Sequence, residues 1–545
     1  MPAEDDSATD PRAPADGSPQ APPLRRRGVA VNTAIFAGLT GLSRIAGLGR
    51  EILASSYFAT SGAFSSFTIA FQVPNLLRTL VADQAVSAAF VPVFTDLLEQ
   101  KRRREAFQLA STLFFLILAG LGALVAAFIV LAPLIMPLLT GDKFSAQLDD
   151  LTAGLSRVLF PTVLLLGLNG LTLGILYAYD DFTIGGLVPL VWNIVIIAIL
   201  IPLRHAFHGR EQLYAYAIGV LAGTLAQFLM TLPRLRKLGF GLTLKINLRD
   251  PRVKQVLRLM LPVTFATGLF NFSVLINSAL GSLVSDNAPR AIDAAFRIYQ
   301  LPQGVIALAL ATVIFPTLAR FASREDLPGL RASAANGVRQ NFLMLVPAAA
   351  LLAVLATPIT RVVFQHGAFG PDSTDQVSSA LFWFSFALPL NGINLLLTRT
   401  FFSFRRAWVP TLLALANVVF NVGVSAALQG PFGIPGIVVG TIAGNVVMAA
   451  GQLYYLRREL DGFEGRRTAV VAAQVTVASA ALAGVAYTIW YGLDSALGRG
   501  LVGQVLAVGT ACGAGLALYA AIVAALRIPE GRQLWRVVAG RLRSG

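Results

Sequence analysis

The sequence predicts an all-α polytopic membrane protein of about fourteen transmembrane helices, built as two pseudo-symmetric six-helix lobes plus two C-terminal helices. Three observations predict it. Only 13% of the 545 residues are charged and 55% are hydrophobic, whereas a soluble chain carries roughly 25% charged residues. The apolar residues come in runs of about 20 or more, the length that crosses a bilayer. Lys and Arg gather in alternate connections between these runs, as the positive-inside bias demands. The net charge of +15 therefore reads as topology, and no nucleic-acid partner is expected. A single cysteine, Cys512, excludes a disulfide framework within the chain and a multi-cysteine metal site. Of three histidines, two lie in the 204–210 connection. Neither a metal nor a cofactor is expected.

Residues 1–27 open the chain with an acidic segment rich in Pro, Ala and Asp, read as a disordered tail that ends on Arg25–Arg27. The expected spans cover 29–57, 65–94, 107–140, 151–178, 184–203, 213–233, 255–285, 291–321, 340–364, 377–404, 409–428, 434–456, 468–491 and 500–526. Lys101–Arg104, the basic linker 234–254, Arg320 to Arg339, Arg405–Arg406, Arg457 to Arg467 and the C-terminal arginines fall on one side. Lys143, Arg204, Arg210, Arg290, Arg361 and Arg499 fall on the other. The basic side is expected to be cytoplasmic, with both termini inside. The domain reading is a first lobe over 28–233, the linker 234–254, a second lobe over 255–456, two further helices over 468–526 and a cytoplasmic tail over 527–545.

The chain repeats. AFQVPNLLRTLVADQAVSAAFVP from Ala70 resembles AFRIYQLPQGVIALALATVIFP from Ala295. Pro161, Asn169, Pro189 and Asn193 are echoed by Pro389, Asn394, Pro410, Asn417 and Asn421. The unit is about 225 residues, or six spans. An even number of spans gives both lobes one orientation, related by an axis along the membrane normal.

Polar residues inside the spans mark the candidate site. An arginine at the centre of a spanning helix costs roughly 2.5–3.5 kcal/mol on insertion scales, so Arg44, Arg50 and Arg78 in the first two spans call for an aqueous cavity or a charged partner. On a helix, Arg44 and Glu51 share one stripe, and Ser43 and Arg50 the next. Gly41, Gly47 and Gly49 allow a ligand or a backbone to approach that face. Pro74 removes a helix hydrogen bond and is expected to kink the second span beside Asn75 and Arg78. Arg297 occupies the equivalent span of the other half. Against these arginines stand Glu51, Asp83 and Asp293. The excess of guanidinium favours an anion, and pyrophosphate suits the bidentate fork. Arg157, Arg258 and Arg399 lie nearer helix ends, where snorkelling is expected. There is no GxxxxGK[ST] loop, HExxH or GxSxG motif, so neither an ATP motor nor a hydrolase is expected.

SRIAGLGRE, AFQVPNLLR and AAFVPVF, followed by AFRIYQLPQGVIALALATVIFPTLAR, VVFQHGAF and TRTFFSFRRAWVP, resemble the MurJ (MviN) family of lipid II flippases. That family belongs to the multidrug/oligosaccharidyl-lipid/polysaccharide exporter superfamily, and the resemblance covers about residues 30–530. It implies a V-shaped pair of lobes in the bacterial inner membrane and a central cationic cavity for the pyrophosphate and headgroup of lipid II. Membrane lipids are the other partner, and the last two helices would form a groove for the polyprenyl tail. The family's cavity arginines fall on Arg44, Arg50, Arg78 and Arg297, its Ser-Arg pair on Ser43-Arg44 and its Pro-Asn pair on Pro74-Asn75. The chain departs from the family at Ser65–Thr68, where a DAFF-like run is common, at Thr79 in place of a second arginine, and at Phe296 in place of an aspartate. Asn417 and Asn421 stand in the eleventh span without the carboxylate that accompanies sodium binding in some members. Coupling to the membrane potential or to an ion stays open. So do three rival readings: a flippase for another polyprenyl-linked saccharide, a cation–drug antiporter, and a membrane scaffold without transport.

Overall fold

The computed structural model describes residues 26–81, 85–243, 246–247, 249–404, 406 and 408–532; within these, the side chains of 26–37, 78–81, 85–88 and 261–271 lie outside the description. The side chain of Arg78, and Asp83 entirely, therefore fall outside the described residues. Among the described residues every regular element is a helix. The first set is α1 (Arg26–Phe58), α2 (Gly62–Val81), α3 (Ala85–Glu99), α4 (Arg103–Ile135), α5 (Ala146–Leu159), α6 (Pro161–Ala178), α7 (Thr183–Leu203) and α8 (Leu213–Lys237). The second is α9 (Pro251–Val284), α10 (Ala288–Pro302), α11 (Leu308–Ser323), α12 (Leu327–Val354), α13 (Ala356–Phe364), α14 (Pro371–Ser403), α15 (Trp408–Phe432) and α16 (Ile434–Glu459). Two more follow, α17 (Gly465–Leu497) and α18 (Leu501–Ala525). Among the described residues, eleven helical runs are long and apolar enough to cross a membrane. Helices α1 and α9, with 33 and 34 residues, are the other long rods.

Three expected spans are each two helices joined end to end. The 151–178 span breaks at Phe160, where Pro161 opens α6. Proline has no N–H to donate and its fixed φ suits a first helical turn. The 291–321 span is α10 and α11 joined by a π-turn over Gln303–Ala307, directly after Pro302. The 340–364 span breaks at Leu355 between α12 and α13. Helix α12 also starts well before residue 340. Asp326 caps it by accepting from Gly329 N at 2.9 Å, and Pro328 sits in its first turn. Hydropathy marks where a helix becomes apolar, not where it begins.

Apolar packing holds each set. Phe67 stacks on Tyr216 with centroids 4.4 Å apart, joining α2 to α8. In the second set Tyr299, Phe384 and Phe369 are buried among α10, α13 and α14. Gly436, Gly440 and Gly444 recur one helical turn apart on α16. A side chain at Gly444 would stand 2.6 Å from the Asn417 carbonyl oxygen of α15. This is the small-residue spacing that lets two helix backbones touch.

The turns α1–α2 and α9–α10 and the α13–α14 loop meet at one end of the bundle. Thr60 and Ser373 share a 2.8 Å hydrogen bond between hydroxyls, and Ala368 N donates to the Ser56 carbonyl at 2.8 Å. Gly367 has φ +60°, and a Cβ there would overlap that same Ser56 oxygen. Gly367→Ala is expected to lower stability by about 1–3 kcal/mol, from the left-handed backbone and the steric conflict together. Thermal unfolding of the purified protein in detergent measures it.

The basic connections meet at the opposite end. Arg252 at the start of α9 reaches Glu105 of α4 at 2.8 Å, and Arg331 of α12 donates to the Asp461 carbonyl at 3.0 Å. Helices α17 and α18 pack on α12 and α13 and are tied at both ends. At the basic end Arg339 of α12 donates to Glu530 at 2.6 Å and to Glu464 at 2.8 Å. At the other, Arg361 of α13 reaches Asp494 of α17 at 3.2 Å, and Gln504 of α18 bonds the same carboxylate.

Candidate functional site

Helix α1 changes character along its length. Gly41, Leu42, Arg44 and Ile45 are exposed, whereas Arg50, Glu51, Ala54 and Ser55 are buried. The buried stretch lies two turns before the α1–α2 turn, against the first turns of α10. Pro289 sets that helix going, so Arg290, Asp293 and Arg297, at spacings of three and four, line one face of it.

Glu51 is the common anion of this junction. Its carboxylate meets Arg290 Nη2 at 2.8 Å, Arg297 Nε at 3.3 Å and Arg50 Nη2 at 3.4 Å. Asp293 takes Arg290 Nη1 and Arg297 Nε, both at 2.8 Å. Arg290 also donates to Ser55 Oγ at 2.7 Å and lies over the Phe64 ring at 4.0 Å. It is 1% exposed, which places its charge wholly inside protein. Arg50 lies over Trp192 of α7 at 4.6 Å, and its Nε has no hydrogen-bond partner among the described residues. The junction thus carries three guanidinium groups on two carboxylates, drawn from both sets of helices.

The candidate residues separate in space. Arg50 and Arg297 come together through Glu51. Arg44 lies elsewhere, on the exposed stretch of α1, where its guanidinium faces the π-turn: a Cβ on Gly304 would stand 3.6 Å from its Nη1. It has no ion pair among the described residues. Ser43 is buried, and its carbonyl accepts from Asn193 Nδ2 of α7 at 3.3 Å. Gly47 lies against the same asparagine, while Gly41 and Gly49 face open space. Pro74 is buried within α2, which continues through it to Val81, and Asn75 beside it is half-buried. Of the residues expected to snorkel, Arg157 donates to the Ile129 carbonyl at 3.1 Å and Arg399 lies over Phe315.

Arg290, which loop charge places on the weakly charged side, is buried in the first turn of α10 and is a member of the junction that sequence reasoning does not single out. The signal was present in the run Pro289-Arg290-Ala291-Ile292-Asp293, where a helix-starting proline precedes an Arg–Asp pair three residues apart. Asp293 does not simply offset Arg297 either, because it is shared with Arg290.

Beside the junction the second set encloses a cavity of about 340 Å³ between α9, α10, α14, α15 and α16, with Gln72 of α2 at its edge. Asp293 forms part of its wall. Among the described residues no group of His, Cys, Asp and Glu could hold a metal ion.

This architecture is that of helical membrane transporters. A solved structure titled as the lipid II flippase MurJ in an inward closed conformation superposes with a TM-score of 0.73, at 21% identity, covering 92% of this chain and all of that one. An inward-facing multidrug transporter of the MATE family superposes at 0.66 with 14% identity, over 79% and 99% of the two chains. The sequence profile described as "Lipid II flippase MurJ" matches residues 54–509. The lipid II flippase MurJ of Burkholderia cenocepacia is 31% identical over 369 residues, 66% of this chain and 70% of the relative. A probable lipid II flippase MurJ of Vibrio cholerae is 27% identical over 510 residues, 91% and 95% of the two chains. The chain belongs to the lipid II flippase MurJ family.

Proposed function

We propose that this protein carries lipid II, the polyprenyl pyrophosphate-linked peptidoglycan precursor, from the inner to the outer leaflet of the bacterial cytoplasmic membrane by alternating access. One observation carries the reading. Glu51 of the first set is held by Arg290 and Arg297 of the second, while Arg44 stands exposed at the π-turn of the α10–α11 rod. The junction alone sets three guanidinium groups on two carboxylates, and Arg44 adds a further positive charge on the same helix as Glu51, an excess suited to a pyrophosphate. The positive-inside bias places the basic end in the cytoplasm, and the junction then closes the outer side. The headgroup enters from the cytoplasm and meets Arg44 first. Phosphate oxygens then compete with Glu51 for Arg297, which weakens the junction from within and favours the outward-open state. Outward movement of a negative charge gains about 2.3 kcal/mol per 100 mV of inside-negative potential. The polyprenyl tail stays in lipid beside α17 and α18, whose outward faces carry exposed Val477, Tyr491 and Val502. A cation–drug antiporter needs a carboxylate available to its substrate, and both carboxylates of this junction are already paired.

The deciding experiment depletes the native flippase in a cell-wall-forming bacterium that expresses this chain, and scores lipid II on each leaflet. Outer-leaflet lipid II should be restored. Arg44→Ala should reduce it about tenfold or more at unchanged membrane insertion, the effect of losing one charge-assisted contact to phosphate. An unchanged leaflet distribution with the intact chain points instead to another polyprenyl-linked saccharide.

A further inference from the structure

A second cavity, of about 800 Å³, lies at the basic end of α17 and α18 and takes no part in the junction. Arg466 and Arg467, in the first turn of α17, belong to its wall. Val470, Val471 and Gln474 follow at spacings of three and four, on the same face of the helix. Leu526 and Ile528, at the end of α18, complete the wall. The charges here do not balance. Glu464, which lines the cavity, and Glu530, which follows its wall, are both taken by Arg339, at 2.8 and 2.6 Å. Arg467 makes only longer contacts with them, at 3.8 and 3.4 Å. Arg466 has neither an ion pair nor a hydrogen bond among the described residues, and exposed Arg527 stands between two residues of the wall. Helix α17 also opens without a side-chain cap, which adds its first N–H groups to the positive rim.

Deeper along α17, Gln474 is half-buried in a spanning helix, and its amide has no hydrogen-bond partner among the described residues. A polar group at that depth is costly unless something pairs with it. Gln474 is about 12 Å of helix below Arg466, and its side chain leans back toward the helix start, which brings the amide about one turn nearer the arginines. Around it the wall is apolar and open to lipid: Val470 is 50% exposed and Leu526 44%. A cationic rim, a donor beneath it and an apolar wall below match the three zones of a glycerophospholipid, its phosphate, its ester carbonyls and its acyl chains. We propose that this cavity is a site for an anionic glycerophospholipid of the leaflet at the basic end. Arg466 and Arg467 hold the phosphate, Gln474 donates its amide N–H to an ester carbonyl, and an acyl chain lies on Val470 and Leu526. A polyprenyl phosphate has no ester for Gln474 to hold, so this lipid is a resident of the protein and not its cargo. It rests against the segment that carries Glu530, and so adds to the fastening of that segment on α12.

The test titrates the detergent-solubilised full chain with phosphatidylglycerol, phosphatidylcholine and polyprenyl phosphate, and counts the lipid retained by native mass spectrometry. The intact protein should hold phosphatidylglycerol about tenfold more tightly than phosphatidylcholine, the worth of one charge-assisted contact. Arg466→Gln removes an exposed, unpaired side chain and should erase that preference. Arg104→Gln, an exposed cation at the same end outside the cavity, should leave it intact. Gln474→Leu should weaken phosphatidylglycerol about threefold and leave its ether-linked analogue, which lacks the carbonyls, unaffected. The proposal is overturned if the intact protein shows no preference, or if the preference survives Arg466→Gln. It is also overturned if Arg104→Gln erases the preference as fully, which would make it the diffuse attraction of a basic protein. Tighter binding of polyprenyl phosphate, lost in Arg466→Gln, would assign the cavity to the carrier lipid instead and overturn it too. No arm reads transport or touches the junction, so failure here leaves the flippase reading standing.

Discussion

Arg290→Ala should part the two helix sets at the α1–α2 end and abolish transport. The substitution leaves Glu51 and Asp293, 3% and 8% exposed, with only Arg297 and the distant edge of Arg50 to neutralise them. Breaking a buried ion pair by removing one partner destabilises by about 3–5 kcal/mol, because a desolvated charge is left behind. Here the stranded charges belong to opposite sets, so the strain is relieved by separation and hydration of the junction. Cross-linking reads this directly. In a Cys512→Ser background, Thr60→Cys and Ser373→Cys replace two hydroxyls 2.8 Å apart and should join readily with Arg290 present. The cross-link should fall sharply in Arg290→Ala. A yield equal to that of the intact junction would show that Arg290 does not hold the sets together. Arg290→Lys should fall between them, since one ammonium cannot span Glu51, Asp293 and Ser55 as a planar fork does.

The second large effect is expected far from the junction, at Arg339. This residue and Glu530 are 2% and 1% exposed and joined at 2.6 Å, with Glu464 on the other side of the guanidinium. Arg467 adds only a longer contact to Glu530 at 3.4 Å. Arg339→Ala leaves the Glu530 carboxylate buried beside half-exposed Arg467, at a penalty again of about 3–5 kcal/mol. The segment after α18 should lift away from α12. Limited proteolysis between Ile528 and Arg532 should accelerate by more than tenfold, and the unfolding temperature should fall. Arg339→Ala combined with Glu530→Leu removes both charges and should recover most of the loss. Failure of that rescue would assign the effect to packing rather than to charge.

The parts of this molecule that sequence could and could not reveal divide along a physical line. Hydropathy and loop charge reveal a polytopic helical bundle because the bilayer constrains every span by the same length and polarity rule. Arg50 and Arg297 stand out because a guanidinium in an apolar run demands compensation. The identity of the compensating group is another matter. Arg290 read as a connection charge since it precedes the apolar part of its span, and Glu51 gave no sign that its partners lie some 240 residues onward. Glu530 lies in a segment that reads as a tail, yet it is among the least exposed carboxylates of the described residues. Local pattern shows that a charge needs a partner, and only the tertiary fold shows which partner it takes. The cavity of the second set is hidden from sequence for a similar reason, because its lining comes from helices that meet only in three dimensions.

Helix α17 is fastened to the α12–α13 rod at its two extremities, by Arg339 through Glu464 and by Arg361 through Asp494. Two anchor points on one rod forbid sliding and leave rotation of the whole as the remaining freedom. A prenyl chain resting against α17 and α18 would therefore be a passenger of the second set, swung through the same arc as Arg290 and Arg297, so that tail and headgroup keep step without any signal passing between them.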